Sequence, residues 1–129
     1  MTKDPRVYLA RILECAQRIE RFTADGKSRF MRDRMVEDAV MRNFGIIGEA
    51  AKRLDDGYRA AHPEIPWRVL AGLRDVLIRQ DEGVDLERVW AIVERDLPNL
   101  REAIAALLPP LDQLERELAG EEDASGQGL

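Results

Sequence analysis

Apolar residues recur along this chain at the spacing of an α-helix, and residues that break helices interrupt the pattern at short intervals. In the first stretch the recurring residues are Tyr8, Ile12, Cys15, Ile19 and Phe22. Asp4 and Pro5 are typical of a helix start, and Asp25-Gly26 is typical of its end. No segment shows strand alternation, a glycine-rich phosphate loop or an internal repeat. The sequence therefore predicts an all-α fold, an antiparallel helical bundle of about five helices.

A second stretch predicts one long helix, which we expect to pack antiparallel to the first. Ser28 is a suitable N-cap, and Asp56-Gly57 ends the pattern. The face between them contains Val36, Val40, Asn43, Ile47, Ala50 and Leu54. The next segment, residues 58–66, contains Pro63 and Pro66, so we expect a non-helical connector across the end of the bundle.

Three shorter helices complete the predicted bundle. The third begins at Trp67 and ends in the polar turn at residues 80–83, and Asp85 caps the fourth. Pro98 is expected to force a kink or a fresh start, because proline cannot donate a backbone hydrogen bond. The fifth helix then continues to about Leu108.

Length and composition predict a single domain, because 129 residues allow one core. We assign residues 1–110 to that domain. Residues 111–129 are expected to form a short amphipathic segment and then a disordered acidic tail, which has too few apolar residues to bury. No apolar run approaches the roughly eighteen residues of a membrane helix. Cys15 is the only cysteine, so an internal disulfide is excluded and a reducing cytoplasm is the expected location.

The net charge of −5 at pH 7 is unevenly distributed. Residues 1–110 contain 19 basic and 19 acidic residues, whereas residues 111–129 contain one arginine and six acidic residues. The predicted domain is therefore neutral overall. A basic cluster within it comprises Lys27, Arg29, Arg32 and Arg34. This distribution permits RNA binding, although composition alone does not predict it.

The inventory of reactive side chains excludes several kinds of site. One histidine and one cysteine cannot supply the four nitrogen or sulfur ligands of a structural zinc ion, so no such metal site is expected. A carboxylate metal site stays open. A Ser-His or Cys-His pair would need His62, which lies in the connector between Ala61 and Pro63. An exposed or helix-capping role is the favoured interpretation of that histidine.

Asn43 interrupts an apolar face, and a buried amide needs hydrogen-bond partners. Two interpretations are open: an interhelical hydrogen bond, or the floor of a polar site beside Arg42. Glu49 follows Arg42 by seven residues, nearly two turns, so both side chains project from one side of the helix. A solvated charged face explains that pair equally well.

Five segments together, in order and spacing, carry a family resemblance. They are Arg42-Asn43 with Ile47-Gly48-Glu49-Ala50-Ala51-Lys52, His62-Pro63-Glu64-Ile65-Pro66-Trp67, Ala71-Gly72-Leu73-Arg74-Asp75, Val84-Asp85 with Trp90 and Val93, and Asp96-Leu97-Pro98. Over most of its length the chain thus resembles the HepT-like branch of the HEPN family. These proteins are small all-helical RNA-cleaving toxins of bacterial toxin–antitoxin pairs.

The resemblance implies a homodimer whose paired third helices form a cleft, where an Arg-polar-x-x-x-His signature cleaves RNA without metal or cofactor. Arg74 and Asp75 match the first two positions, but Arg79 stands where the family has histidine. Asp81 stands where related toxins have a tyrosine that accepts AMP from a nucleotidyltransferase antitoxin of the MntA type. We therefore expect no modification at residue 81, and only Tyr8 and Tyr58 remain as tyrosine acceptors. Tyr8 should be poorly accessible and Tyr58 open to solvent.

Arginine cannot replace histidine as a general base, because a guanidinium with a pKa above about 12 does not accept a proton near neutral pH. It can still hold a phosphate. Two functions are therefore open: a catalytically impaired ribonuclease toxin, or a pseudo-enzyme dimer that binds RNA, nucleotide or the nucleotidyltransferase. The candidate RNA-binding residues are Arg42, Asn43, Arg74 and Arg79, and the candidate catalytic residues are Arg74, Asp75 and Arg79.

Overall fold

The computed structural model describes residues 4–79 and 83–126, and within them the chain is predominantly helical, which confirms the predicted all-α class. The helices are α1 (Pro5–Phe22), α2 (Lys27–Arg32), α3 (Arg34–Arg53), α4 (Asp56–Ala61), α5 (Trp67–Ala71), α6 (Leu73–Leu77), α7 (Leu86–Ala91), α8 (Leu97–Ala105) and α9 (Leu111–Gly126). A π-helical turn, Ile92–Asp96, joins α7 to α8.

Helices α1 and α3 pack against each other along their lengths and form the centre of the bundle. Helix α1 buries one face, including Leu9, Ile12 and Ile19, because these residues recur every three to four positions. Helix α3 presents Val40 and Ile47 to the same core. Helices α5 and α6 pack on α3, and α8 packs on α1. The core therefore lies between the two long helices and the shorter ones that cover them.

The predicted second helix is divided at Asp33, and its predicted cap, Ser28, is wrong. Asp33 adopts an extended conformation, and its Oδ1 accepts hydrogen bonds from Met35 N at 3.1 Å and Val36 N at 3.3 Å. Arg29 Nε donates to the other oxygen of Asp33 at 2.9 Å, which holds the pKa of that carboxyl below its ordinary value. Asp33 is therefore the N-cap of α3.

The predicted connector at residues 58–66 is partly helical, because α4 extends to Ala61. Asp55 ends the preceding turn and caps α4, accepting a hydrogen bond from Tyr58 N at 2.7 Å. Helix α4 stops before Pro63, as proline requires. Pro63 therefore limits where α4 ends, but it does not prevent the helix from forming.

Pro98 does not force a fresh helix start. The backbone N–H of Leu97 donates to Ile92 O, five residues earlier, so the chain passes through a π-helical turn into α8. Asp85 caps α7 as predicted, accepting from Arg88 N at 3.2 Å. The wider π-helical turn accommodates Pro98, whose nitrogen cannot donate a backbone hydrogen bond, without ending the helix.

A short β-hairpin, with two residues in each strand, lies between α6 and α7, and the sequence does not predict it. Strands β1 (Ile78–Arg79) and β2 (Gly83–Val84) pair antiparallel, with Ile78 opposite Val84 and Arg79 opposite Gly83. Gly83 has a φ of +79°, which favours glycine. Two residues per strand are too few to produce a visible alternation. Gln80, Asp81 and Glu82, including the position of the family tyrosine, lie outside the described residues.

Helix α9 contains the amphipathic segment predicted after residue 110. Leu114 is buried, and Arg6 Nη1 contacts Glu117 Oε2 at 2.7 Å, which connects α9 to α1. The structure differs from the predicted disordered tail, because α9 continues as far as Gly126; residues 127–129 lie outside the described part. Within the described ranges, no helix is both long and apolar enough to span a bilayer.

Candidate functional site

A concavity of about 890 Å³ opens between α1, α3 and α6, and we call it the groove. Helix α1 contributes Val7, Tyr8 and Arg11, and α6 contributes Arg74 and Asp75. Helix α3 contributes most of the lining residues, which are Asp38, Met41, Arg42, Gly45, Ile46, Gly48, Glu49, Ala50, Lys52 and Arg53. Ala71, Ile78 and Val84 complete the wall.

Two glycines of α3 allow the wall formed by α5 and α6 to approach closely. A Cβ at Gly48 would lie 3.0 Å from Leu70 O and 3.4 Å from Ala71 O, both backbone atoms. A Cβ at Gly45 would lie 3.7 Å from Arg74 Cδ, an ordinary contact. At Gly48, about one turn away, the backbones of α5 and α3 lie close together. The aliphatic part of the Arg74 side chain therefore lies along α3 at Gly45.

The orientation of Arg74 and Asp75 follows from the short helix that carries them. Leu73 and Leu77 are one turn apart and both buried, so they fix α6 against the core. Arg74 and Asp75 lie between them and are exposed. Gly72 ends α5, so the predicted third helix is two short helices rather than one.

The groove is more basic than the domain around it. It is lined by five basic side chains and three acidic ones, whereas the predicted domain is neutral. Lys52 lies 3.4 Å from Glu49, a weak ion pair. The basic side chains that form no ion pair with any residue in the described ranges are Arg11, Arg42, Arg53 and Arg74. Guanidinium groups without carboxylate partners are available to bind an anion such as phosphate.

The structure brings together three of the predicted site residues. Arg42 comes from α3, and Arg74 and Asp75 come from α6, and all three line the groove. Arg79 ends β1 next to this wall, although its side chain lies outside the described part of the chain. The grouping joins residues that are 32 positions apart in sequence.

Asn43 does not line the groove. Its side chain is 5% exposed, and Nδ2 donates to Ala39 O, one turn earlier in α3, at 2.8 Å. This is neither of the two interpretations open from the sequence, an interhelical bond or a site floor. The other side-chain atom, Oδ1, accepts no hydrogen bond from a described residue.

His62 lies outside the groove, at the end of α4. Its Nδ1 is 3.3 Å from Glu64 Oε1, and its ring centroid is 4.5 Å from that of Tyr58. Its backbone oxygen accepts a hydrogen bond from Trp67 Nε1 at 2.9 Å. His62 is the C-cap residue of α4, which agrees with the favoured interpretation of an exposed or helix-capping histidine, and these contacts connect α4 to the start of α5.

The two tyrosines differ from the sequence expectation. Tyr8 is half-buried and lines the groove, so it is more accessible than expected. Tyr58 is also half-buried, and burial, followed by the charges of Glu64 and Asp4, raises the pKa of its phenol. Tyr8 and Arg11 are groove residues that sequence reasoning missed. The one hint in the sequence is their spacing of three positions, which places both side chains on one side of α1.

The carboxylates of the groove do not form a metal site. Among the described residues, no group of three histidine, cysteine, aspartate or glutamate side chains is arranged to hold a metal ion. Asp38, Glu49 and Asp75 instead stand among arginines. The arrangement is suited to binding an extended polyanion, with its phosphates on the guanidinium groups.

Comparison with known proteins shows which family the chain belongs to. The family model described as Ribonuclease HepT-like matches residues 12–107. The "Probable ribonuclease HepT" of Thermococcus cleftensis is 39% identical over 102 residues, 78% of this chain and 93% of that protein. A Methanocaldococcus jannaschii protein named "Gamma-glutamylcyclotransferase and putative RNase" is 41% identical over 114 residues, 88% of this chain but 51% of that protein. The chain thus spans about half the length of this second relative. No solved structure matches. The chain belongs to the ribonuclease HepT-like family.

Proposed function

We propose that this protein binds single-stranded RNA in the groove and acts as a HepT-like endoribonuclease toxin whose cleavage is impaired. The observation that carries the proposal is the set of groove arginines that form no ion pair with a carboxylate of the described residues, on the face where the family signature lies. Arg42 and Arg74 approach the groove from two helices and hold successive phosphates. The chain matches relatives named as ribonucleases over most of its length, which supports RNA as the polyanion.

Impaired cleavage follows from the groups that are available in the groove. Attack by the ribose 2'-hydroxyl needs a base that is unprotonated yet strong near neutral pH, as imidazole is. His62 does not line the groove, and Arg79 stands at the histidine position. The carboxylates that remain are weaker bases than imidazole by about two pKa units as a class. Asp75 and Glu49 are the candidates for slow residual cleavage.

Arg74→Ala is expected to weaken binding of single-stranded RNA by about tenfold or more, since a charge-assisted contact to phosphate is removed. Fluorescence anisotropy with a labelled oligouridylate measures this. Arg95→Ala is the matched control, because Arg95 is exposed in the π-helical turn and lines no part of the groove. Equal losses in the two variants would contradict a specific role for the groove.

The homodimer implied by the resemblance stays a proposal, and the exposed apolar residues of α5 and α6 indicate a surface for it. Trp67, Leu70 and Leu73 pack in the core of this protomer. Val69, in α5, and Val76, in α6, are 59% and 46% exposed. Among residues 67–76, the exposed apolar surface offered to a partner is therefore limited to these two valines. These valines flank Arg74, so a second copy docked there brings two grooves together.

Light scattering at micromolar concentration is expected to give a dimer for the unmodified chain. Val69→Asp with Val76→Asp should give a monomer, because two carboxylates buried without partners oppose association. Met35→Asp is the control, since Met35 is 82% exposed on another part of the bundle. A monomer for the unmodified chain would count against the proposal.

A binding-only pseudo-enzyme is the second candidate function, favoured by the position of His62 outside the groove. Loss of the base and of the acceptor tyrosine at Asp81 is consistent with it, because an inactive toxin needs no neutralising AMP. A nucleotidyltransferase of the MntA type remains the proposed protein partner. The two candidates differ in whether the unmodified chain cleaves RNA measurably above the uncatalysed rate.

A further inference from the structure

The basic cluster predicted at residues 27–34 lies at the N-terminal end of α3. Two of its members are paired: Lys27 Nζ contacts Glu87 Oε2 at 2.9 Å, and Arg29 contacts Asp33. Arg32 and Arg34 are exposed and form no ion pair within the described part of the chain. The cluster therefore keeps two free guanidinium groups, and the groove does not include them.

Arg34 lies on the face of α3 that lines the groove. Arg34, Asp38 and Arg42 recur every four residues, so their side chains project from one side of the helix. Asp38 and Arg42 line the groove, and Arg34 stands one turn beyond Asp38, about 6 Å along the axis. From Arg53 to Arg34 this face extends over about 28 Å. Arg34 thus extends this side of α3 by one turn beyond the groove, with Asp38 between it and Arg42.

Exposed apolar side chains flank the same cluster in sequence. Phe22, the last residue of α1, is 41% exposed, whereas Phe30 and Phe44 are 1% exposed. Met35, in the first turn of α3, is 82% exposed. Exposed aromatic rings together with arginines are the combination that sequence-tolerant sites for single-stranded nucleic acid use, where the ring stacks on a base.

We infer that Arg32, Arg34 and Phe22 form a second RNA-binding site, an extension of the groove that holds single-stranded RNA beyond the segment bound at Arg42 and Arg74. This inference rests on the proposed function, because it takes RNA as the ligand of the groove. The arginines bind phosphates and Phe22 stacks on a base. The extension favours long RNA over short RNA, since a site of about 4 nucleotides fills the groove and a longer strand reaches the cluster.

The test measures affinity for a 4-nucleotide and a 20-nucleotide oligouridylate over a range of salt concentrations. Arg32→Gln with Arg34→Gln should weaken binding of the longer probe by about tenfold and reduce its salt slope by about 1.4, since each phosphate contact on a single strand contributes about 0.7. Phe22→Ala should weaken binding of the longer probe with an unchanged slope, because stacking releases no counterions. The shorter probe should bind all these variants equally well. Arg88→Gln with Arg95→Gln is the charge-matched control, because both arginines are exposed and neither lines the groove.

The outcomes separate this inference from the proposed function. An unchanged affinity of the arginine variant for the longer probe, with Arg74→Ala still weakening both probes, overturns the extension and leaves the groove in place. An equal loss for both probes also overturns it. If the unmodified chain binds neither probe, both ideas fail. Vesicles containing phosphatidylserine are the competing probe, and loss of vesicle binding alone would make this a membrane surface instead.

Discussion

Arg79→His combined with Asp81→Tyr is expected to raise RNA cleavage by about 10²- to 10⁴-fold, the usual contribution of a positioned general base. The change puts an imidazole at the sixth position of the family signature, five residues after Arg74. Arg74 lines the groove, and Arg79 ends the strand that follows its helix, so the substituted position is joined directly to the segment that carries Arg74. Cleavage of a labelled oligonucleotide by the purified variants measures the gain.

Controls separate the base from the loss of a positive charge. Arg79→Gln with Asp81→Tyr removes the guanidinium without supplying a base, so it should not gain cleavage. The restored activity should increase as pH rises through about 6.5, because the unprotonated imidazole is the active form of a general base. Arg74→Ala in the restored background should lower cleavage again. A pH profile flat between 5 and 8 would contradict a histidine base.

The restored variant tests the unmodified chain at the same time. If the unmodified chain already cleaves RNA as fast as the restored variant, the catalytic base lies elsewhere. His62→Ala is then the next substitution, although His62 contacts Glu64 and Tyr58 rather than the groove. Loss of activity in that variant together with a lowered melting temperature would indicate a structural role, because the substitution removes the ring contacts with Glu64 and Tyr58.

The fold class could be predicted because the helical spacing of apolar residues shows which face of each helix is buried. Leu9, Ile12 and Ile19 repeat on one face because that face packs on α3. The positions of breaks were less predictable, since Asp33 and Ser28 are both good caps by type. The chain breaks at Asp33, and the preceding short helix buries Phe30, whose ring centroid lies 5.6 Å from that of Trp90. Such tertiary preferences do not appear in local residue types.

The groove could be predicted only in part, for a related reason. The family signature pointed to Arg74 and Asp75, and the charged face of α3 pointed to Arg42. The contribution of α1 was missed, because the register between α1 and α3 decides which exposed residues meet. Tyr8 was assigned to the apolar face of its helix, yet it lies at the boundary of that face and reaches the groove. Sequence periodicity gives the face of a residue but not its neighbours.

Gly48→Ala is expected to lower the free energy of unfolding relative to Gly45→Ala by about 1–3 kcal/mol, the usual cost of overpacking a well-packed contact. Both glycines are in the interior of α3, so both substitutions gain about the same helix propensity, up to ~1 kcal/mol. They differ in what the new methyl group meets. At Gly48 it meets Leu70 O at 3.0 Å, a backbone atom that cannot rotate away, whereas at Gly45 it meets a flexible arginine stem at 3.7 Å.

Thermal and urea unfolding of the two variants measure the difference, and RNA binding reports its consequence for the groove. Gly45→Ala should be as stable as the unmodified chain or more so. In Gly48→Ala the new methyl pushes α5 away from α3, which carries Arg74 away from Arg42 and weakens RNA binding even in the folded population. Two variants of equal stability would show that α5 shifts at no cost, and unchanged RNA affinity in Gly48→Ala would then mean that the spacing of these arginines does not determine binding.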